Sequence, residues 1–595
     1  MTRRIAWLVL SCLLVVALAL ASCGPAEVEE EEGKTVVGEV EEVEEEEEVE
    51  EEEVAEPGAE EPQYGGTLTV VRTLEPMSWN SRDINWQHND VAGSYAETLL
   101  VGDLQKGPRG TNEWSFNTQA FVPPHIMTGH LAESWEITDP LTLTFKVRKG
   151  VYWQEKPGIM ASRELTADDL VYHFTGQIEA PKEYLLKPFV DHFSAPDKYT
   201  FVAHLKEFHA NWGYRLAWGY FLMVTTPPEL EENGDPSDWR DVCGTGPFML
   251  TDYVSGSSVT YEKNPNYWGT TVINGKEYKL PFVDKLVRPI ILDASTRLAA
   301  LRTAKTDFDY AVEWKYKDSL ARTCPELNRW RWLDSSPESL ALRVDTPPLD
   351  DQRVRYALSM AINREAMAEA LFGGDAEILE FPFASYWGEL YYTPIEKLPE
   401  ATQEQFDYNP EKAKQLLAEA GYPAGFTIEI MLTSAGTVQT DEASMIADFW
   451  SKIGVTAELR PLEYASYYSA MMAQTHKGAY LLSTDPGTPL AIMRKVGETG
   501  QRWNPAMHTN AWFDETLASA FLEMDDTKVA ELCKEMNAYL LGTCAYIQVP
   551  TAYNYKYAWP WVKNWYGEVF VGAYYSGPVQ ARIWIDQDLK KEMGY

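Results

Sequence analysis

Between Phe426 and Leu459 the chain alternates, turns helical and alternates again, and this stretch limits the fold more than any other. Phe426, Ile428, Ile430 and Leu432 stand two apart, the spacing of a strand buried on one face. A helix is expected from about Asp441 to Ile453, closed by Gly454, after which Val455, Ala457 and Leu459 alternate. Strand, helix and strand at this length form a parallel βαβ unit with a right-handed crossover. Residues 463–474 add a further helix, and Ala479 to Ser483 a further strand. The class is therefore α/β, and open α/β sheets bind ligands in the crevice beyond the carboxyl ends of their strands. Those ends are Thr433-Ser434 and Thr484-Asp485, so Thr433, Ser434, Thr484 and Asp485 are the candidate ligand-binding residues.

Helices flank this unit. Asp350 and Asp351 can cap one in which Val354, Leu358, Ile362, Met367 and Leu371 form a single apolar stripe before Gly373 and Gly374. Asn409-Pro410 starts another, with Ala413, Leu416, Leu417 and Ala420 inward and Gly421 at its end. Far upstream, Tyr64-Gly65-Gly66 turns into a β-rich run from Thr67 to Arg72. With 595 residues, 45% of them hydrophobic, the chain can bury more than one core.

The N-terminus follows different rules. Arg3 and Arg4 precede an apolar run from Ile5 to Ala21, which ends in Leu20-Ala21-Ser22-Cys23-Gly24. A basic region, an apolar region and small residues before a cut site make residues 1–22 a secretory signal peptide. Leu-Ala-Ser-Cys also looks like a bacterial lipobox, in which Cys23 is lipidated and becomes the first residue. Between Glu27 and Glu61 there are 20 Glu and one basic residue, Lys34. Such repulsion opposes a compact state, so residues 23–62 are a lipidated cysteine followed by a disordered acidic spacer. The whole chain carries a net charge of -39, a field that repels phosphate backbones and disfavours nucleic acid as a partner.

Catalytic signatures fail. There is no H-E-x-x-H and no G-x-S-x-G, and the stretch from Gly269 to Lys276 has the wrong glycine spacing for a phosphate loop. His125 and His130, like His204 and His209, are five apart, which puts their side chains on different faces of a strand or helix. Cys243, Cys324, Cys533 and Cys544 lack C-x-x-C spacing; export permits disulfides among them, and buried thiols are the alternative. No metal, cofactor or catalytic residue is indicated. The 21 Trp, 33 Tyr and 21 Phe are unusual; core packing and a ring-lined cleft compete to explain them.

Four ordered blocks resemble one family, the family 5 extracellular solute-binding proteins of ABC transporters. The first joins Leu131-Ala-Glu-Ser-Trp135, Leu143-Thr-Phe-Lys-Val-Arg-Lys-Gly-Val151 and Leu165-Thr-Ala-Asp-Asp-Leu-Val171. The second joins Gly244-Thr-Gly-Pro-Phe248 to Glu262-Lys-Asn-Pro-Asn-Tyr-Trp268, and the third joins residues 347–358 to Ala361-Ile-Asn-Arg-Glu365. The fourth runs from Asn409 to Tyr422. The resemblance extends from about Tyr64 to the C-terminus; residues 103–130 and the long stretch from Val151 to Leu165 depart from the family pattern.

The resemblance implies a periplasmic-binding-protein-like two-lobe α/β fold with an extra inserted domain. By block order, lobe I takes 63–97, 241–338 and 550–595, the inserted domain 98–240 and lobe II 339–549. Two crossings, near Leu333–Leu340 and Tyr546–Tyr553, are expected to act as a hinge. The implied function is capture of a small solute at the extracytoplasmic face of a bacterial membrane, by a lipid-anchored protein that delivers it to ABC permease subunits. An oligopeptide is the first expectation, an oligosaccharide the second; a ligand-sensing receptor domain and an exported hydrolase are rivals of other classes. In peptide-binding members an acidic residue near the position of Asp485 pairs with the ligand's α-amino group. Here it stands in Ser483-Thr484-Asp485-Pro486-Gly487, where Asp-Pro also suits a turn.

Overall fold

In the computed structural model, which describes residues 61–83, 87–117, 121–181, 185–333, 337–434, 437–483 and 487–595, the βαβ unit is present. Thr427–Thr433 and Thr456–Leu462 run parallel, with Thr427 opposite Thr456 and Thr433 opposite Leu462. The helix Thr437–Ser451 joins them, starting four residues before the expected Asp441 and ending two before Ile453. Gly454 follows at φ +85, a conformation that favours glycine. The expected signal peptide, the expected lipobox with Cys23 and most of the expected acidic spacer lie outside the described residues.

These two strands belong to a five-stranded sheet in the order Thr456–Leu462, Thr427–Thr433, Ala479–Ser483, Glu338–Leu342, Tyr546–Gln548. Only Glu338–Leu342 runs against the others. Both faces are covered. Ile428, Ile430, Leu432, Leu340, Leu342, Leu481 and Ile547 share one core with Val354, Leu358, Leu417 and Trp450. Met431, Ala341, Tyr480, Leu482 and Tyr546 face the larger core on the other side. Alternation along each strand assigns its residues to the two cores in turn.

The expected stripe from Val354 to Leu371 lies on two helices rather than one, Gln352–Met360 and Arg364–Phe372. The break has a local cause. Asn363 adopts an extended conformation and its side chain accepts from Ala366 N, which caps a new helix in place of continuing the old one. The outer ends are as the sequence suggests: Asp351 accepts from Arg353 N, and Gly373 closes the second helix at φ +59. Asn409 caps Pro410–Glu419 by accepting from Lys412 N.

A second sheet places Thr551–Ala558 between Phe308–Val312 and Asn328–Leu333, with Ala376–Glu377 pairing onto Thr551 and Ala552. The chain passes from this sheet to the five-stranded one between Leu333 and Glu338, returns to pair Ala376–Glu377 beside Thr551 and Ala552, and after the later strands of the five-stranded sheet comes back through Val549 and Pro550. Thr67–Thr69, Lys285–Pro289, Ser258–Lys263 and Phe248–Val254 form a third sheet. Beside it Gly244 and Gly246 lie against the Tyr95 carbonyl so closely that a Cβ at either position would collide with it. A fourth, antiparallel sheet orders Ala132–Asp139, Thr142–Val147, Thr200–Leu205 and Val190–Asp197. The helix Ala167–Glu179 packs on that sheet, started by a capping box between Thr166 and Asp169.

The four described cysteines are buried free thiols. Most of the aromatic surplus is core: Trp153, Trp450, Trp559 and Trp561 are fully buried, and the last two stack at 4.7 Å and 3°.

Candidate ligand cleft

Four strands of the five-stranded sheet end at one edge, at Thr433, Leu462, Ser483 and Gln548. Glu338, the first residue of the opposed strand, is at the same edge, in register with Ser483. The connections that enter at Glu338 and leave after Gln548 also lie at this edge. The crevice beyond the carboxyl ends of the strands is therefore bounded by the connections between the two halves of the body.

Thr433 is half-buried at this edge and Ser434 is exposed beside it. Ser434 extends the parallel ladder: its amide donates to Leu462 O at 2.8 Å and its hydroxyl to the same oxygen at 3.0 Å. The hydroxyl proton is thereby committed, and Ser434 can offer a ligand only an acceptor. Thr484 and Asp485 lie outside the described residues.

The sequence reasoning missed an acidic group beside them. Gln439 Nε2 donates to Glu338 Oε1 at 3.0 Å. Glu442, one helical turn after Gln439, is 1% exposed, and burial followed by the charge of Glu338 pushes its carboxyl well above the usual carboxylate range. The i, i+3 spacing of Gln439 and Glu442 puts both on one helix face, a signal that was present in the sequence. Below them Tyr467 gives its hydroxyl to Leu481 O at 2.7 Å and stacks on Tyr480 at 4.5 Å.

Across the crossings, Asp375 gathers cations and a hydroxyl. It accepts from Arg331 Nε at 2.8 Å, from Lys317 at 3.3 Å and from the Tyr555 hydroxyl. Burial works to raise its pKa, but the Tyr555 hydroxyl and the Arg331 guanidinium hold it below the ordinary value. Arg331 also lies over the Tyr553 ring, 3.2 Å from its centre. These contacts brace the strand Asn328–Leu333 against Thr551–Ala558 where the chain crosses.

Further contacts join residues before the first crossing to residues between the crossings. Phe121 stacks on Trp387 at 4.9 Å, and Asn211 Nδ2 donates to Thr488 Oγ1 at 2.6 Å. Ala210 N donates to Phe521 O at 2.8 Å, and the His209 ring lies 4.6 Å from that of Phe521. Among the described residues no group of three or more His, Cys, Asp or Glu could hold a metal ion.

The profile of the bacterial extracellular solute-binding proteins, family 5 Middle, matches residues 127–495. Heme-binding protein A of Haemophilus influenzae is 28% identical over 487 residues, which cover 76% of this chain and 84% of that protein. The dipeptide-binding protein of Escherichia coli K12 is 27% identical over 444 residues, 68% of this chain and 77% of its own. Among solved structures, HbpA2 from Haemophilus parasuis superposes with a TM-score of 0.71 at 22% identity, covering 88% of this chain and 100% of its own. DppA from Helicobacter pylori, solved with the peptide STSA, gives 0.65 at 21% identity, with 88% and 99% covered. The two-lobe periplasmic-binding fold is thus shared.

Proposed function

The chain belongs to the family 5 bacterial extracellular solute-binding proteins, and from that membership we propose that it captures a peptide-like solute between its two lobes and delivers it to an ABC permease. Membership makes it a binding protein and not an enzyme. The observation that carries the reading is the single sheet edge at which the carboxyl ends of four strands and both lobe crossings meet. A solute held there touches both halves, so closing on it is rewarded by contacts from each.

The peptide class rests on relatives: the Escherichia coli protein is a dipeptide-binding protein, and the Helicobacter pylori structure contains a tetrapeptide. Lobe I is placed at 63–97, 241–338 and 550–595, the inserted domain at 98–240 and lobe II at 339–549. Export through residues 1–22, lipid anchoring at Cys23 and an acidic spacer to residue 62 complete the assignment. No described helix is long and apolar enough to cross a membrane. Asp485 and Thr484, with Thr433 and Ser434, are assigned to the ligand, Asp485 as partner of an α-amino group.

Native mass spectrometry of protein purified without denaturation tests this. Adducts that fragment as peptides, lost on unfolding and exchanged by added peptide, are expected. A co-purified oligosaccharide, or no exchange with any member of a peptide library, overturns the peptide assignment.

A further inference from the structure

Asp191 and His192 are neighbours in sequence, and on a regular strand their side chains would point to opposite faces. Here they share one face. The pairing of Val190–Asp197 with Thr200–Leu205 sets Val190 opposite Leu205 and His192 opposite His204, so Asp191 is an extra residue in the ladder. Such a bulge re-aims side chains. Val190 and Phe193 stay buried, while Asp191 and His192 are both exposed. His192 Nδ1 donates to Asp191 Oδ2 at 2.9 Å. Across the ladder its ring stacks on that of His204, with centres 4.1 Å apart and planes 12° from parallel. Ser194 Oγ meets His204 Nε2 at 2.8 Å. The charges that reach His204, besides that of His192, are those of Asp191 and Asp139, both acidic.

We propose that His192 and His204 form a surface site for a divalent transition-metal ion, Cu2+ before Ni2+ or Zn2+. Imidazole nitrogens suit these ions, and a given nitrogen site holds Cu2+ most tightly among them. Two nitrogens at ~2.0–2.1 Å from one ion stand at most about 4 Å apart, so rings stacked at this distance need only small rotations. A carboxylate can only accept, so the Asp191 bond keeps the proton of the neutral ring on His192 Nδ1 and leaves the Nε2 lone pair for the metal. A carboxylate behind a ligating histidine fixes its tautomer and orientation in the same way in metal sites. The Ser194 hydroxyl can donate or accept, so the neutral His204 ring also keeps one lone pair. Among the described residues no third His, Cys, Asp or Glu completes the set, so water fills the other positions and the site stays open. The sequence offers His204 with His209, whereas the strand register pairs it with His192. Neither strand belongs to the five-stranded sheet, so the site stands apart from the solute crevice and does not depend on which solute is captured.

The test uses the whole chain and Cu2+ alone. Electron paramagnetic resonance at less than one Cu2+ per metal-free chain, at neutral pH, is expected to show splitting from two imidazole nitrogens. Carboxylates give no such splitting, so the many glutamates cannot imitate it. Asp191→Ala should weaken binding in calorimetry by about tenfold or more while both nitrogens remain, since Asp191 positions His192 without ligating. His192→Gln and His204→Gln should each weaken binding further than Asp191→Ala and leave one nitrogen; the double variant should show none. His125→Gln, at another exposed histidine, should change neither reading. Asp191, His192 and His125 are exposed and His204 half-buried, so these substitutions spare the core, and circular dichroism confirms it. Splitting from two nitrogens that persists in the double variant overturns the site. So does a wild type with no more than one nitrogen, or an equal loss in His125→Gln.

Discussion

Asn211 donates its amide to the Thr488 hydroxyl at 2.6 Å across 277 residues of chain, joining a segment before the first crossing to one between the crossings. Thr488 is also the N-cap of Pro489–Gly497, accepting from Ala491 N at 3.3 Å. One hydroxyl thus starts the helix that follows the crevice edge and ties that helix to the opposite half.

The two roles separate by mutation. Asn211→Ala removes only the tie and should cost about 1 kcal/mol, the net worth of one neutral hydrogen bond. In solution scattering it should increase the radius of gyration of the ligand-free protein without lowering its unfolding midpoint by more than a degree or two. Thr488→Val also loses the cap and should destabilise by a further ~1 kcal/mol. An unchanged radius of gyration in Asn211→Ala would show that the bond does not hold the halves together.

His88 and His173 should make the body acid-sensitive. Both are buried, and neither ring has a partner in hydrogen-bond geometry among the described residues. Burial pushes His88 down to about 4, against the Ser78 backbone and the charge of Asp83; burial, Arg82 and His88 push His173 down to about 3. A pKa depressed on folding gives stability that is present above the unfolded value, about 6.5, and lost as pH falls toward the folded one. By pH 4 the wild type should lose about 2–3 kcal/mol per histidine. Urea unfolding at pH 7 and pH 4.5 measures it, and His88→Gln/His173→Gln should flatten the difference.

The lobe sheet was legible because its signals are local. Strand alternation in Ile428, Ile430 and Leu432, the Asn409 cap and the end glycines all act within a few residues, and the structure follows them. The joined stripe from Val354 to Leu371 misled because helix periodicity continued across the break, while the Asn363 cap acts against it. At the cleft, the sheet rule reached Thr433 and Ser434. Glu338 was hidden because it lies far from Gln439 and Glu442 in the sequence, and only the pairing of Glu338 with Ser483 brings it to that edge. Crowded among 90 acidic residues, those two glutamates carried no mark of their own.

Asn363 itself is testable. Its side chain accepts from Ala366 N at 2.9 Å, and substitution of such a cap by alanine costs about 1 kcal/mol. Asn363→Ala should therefore lower stability by that amount, whereas Asn363→Asp should be neutral or slightly stabilising, since a carboxylate also accepts and favours a helix N-terminus. Chemical denaturation distinguishes the two; equal losses would show that the amide's donors, and not its acceptor, matter.

Glu380 gives the opposite pH dependence to the histidines. It follows Ala376–Glu377, the pair of residues that joins Thr551–Ala558 at the second crossing. Ser385 N donates to one carboxylate oxygen at 2.7 Å, and the other has no partner among the described residues. Burial above all, with Glu377 adding its charge, pushes the carboxyl up to about 9. A pKa raised on folding gives stability that is complete below the unfolded value, about 4.3, and lost as pH rises toward the folded one. At neutral pH Glu380 is a protonated acid beside the crossing, and raising the pH strains that region by forcing a buried charge. Wild-type stability should fall by on the order of 2–4 kcal/mol between pH 5 and pH 8.5 from this residue. Glu380→Gln keeps the shape and the acceptor for Ser385 N while removing the titration. Its unfolding free energy, measured by denaturant at both pH values, should equal wild type at pH 5 and exceed it at pH 8.5. If the two proteins lose stability in parallel over that range, Glu380 is already ionised in the native state and the crossing tolerates its charge.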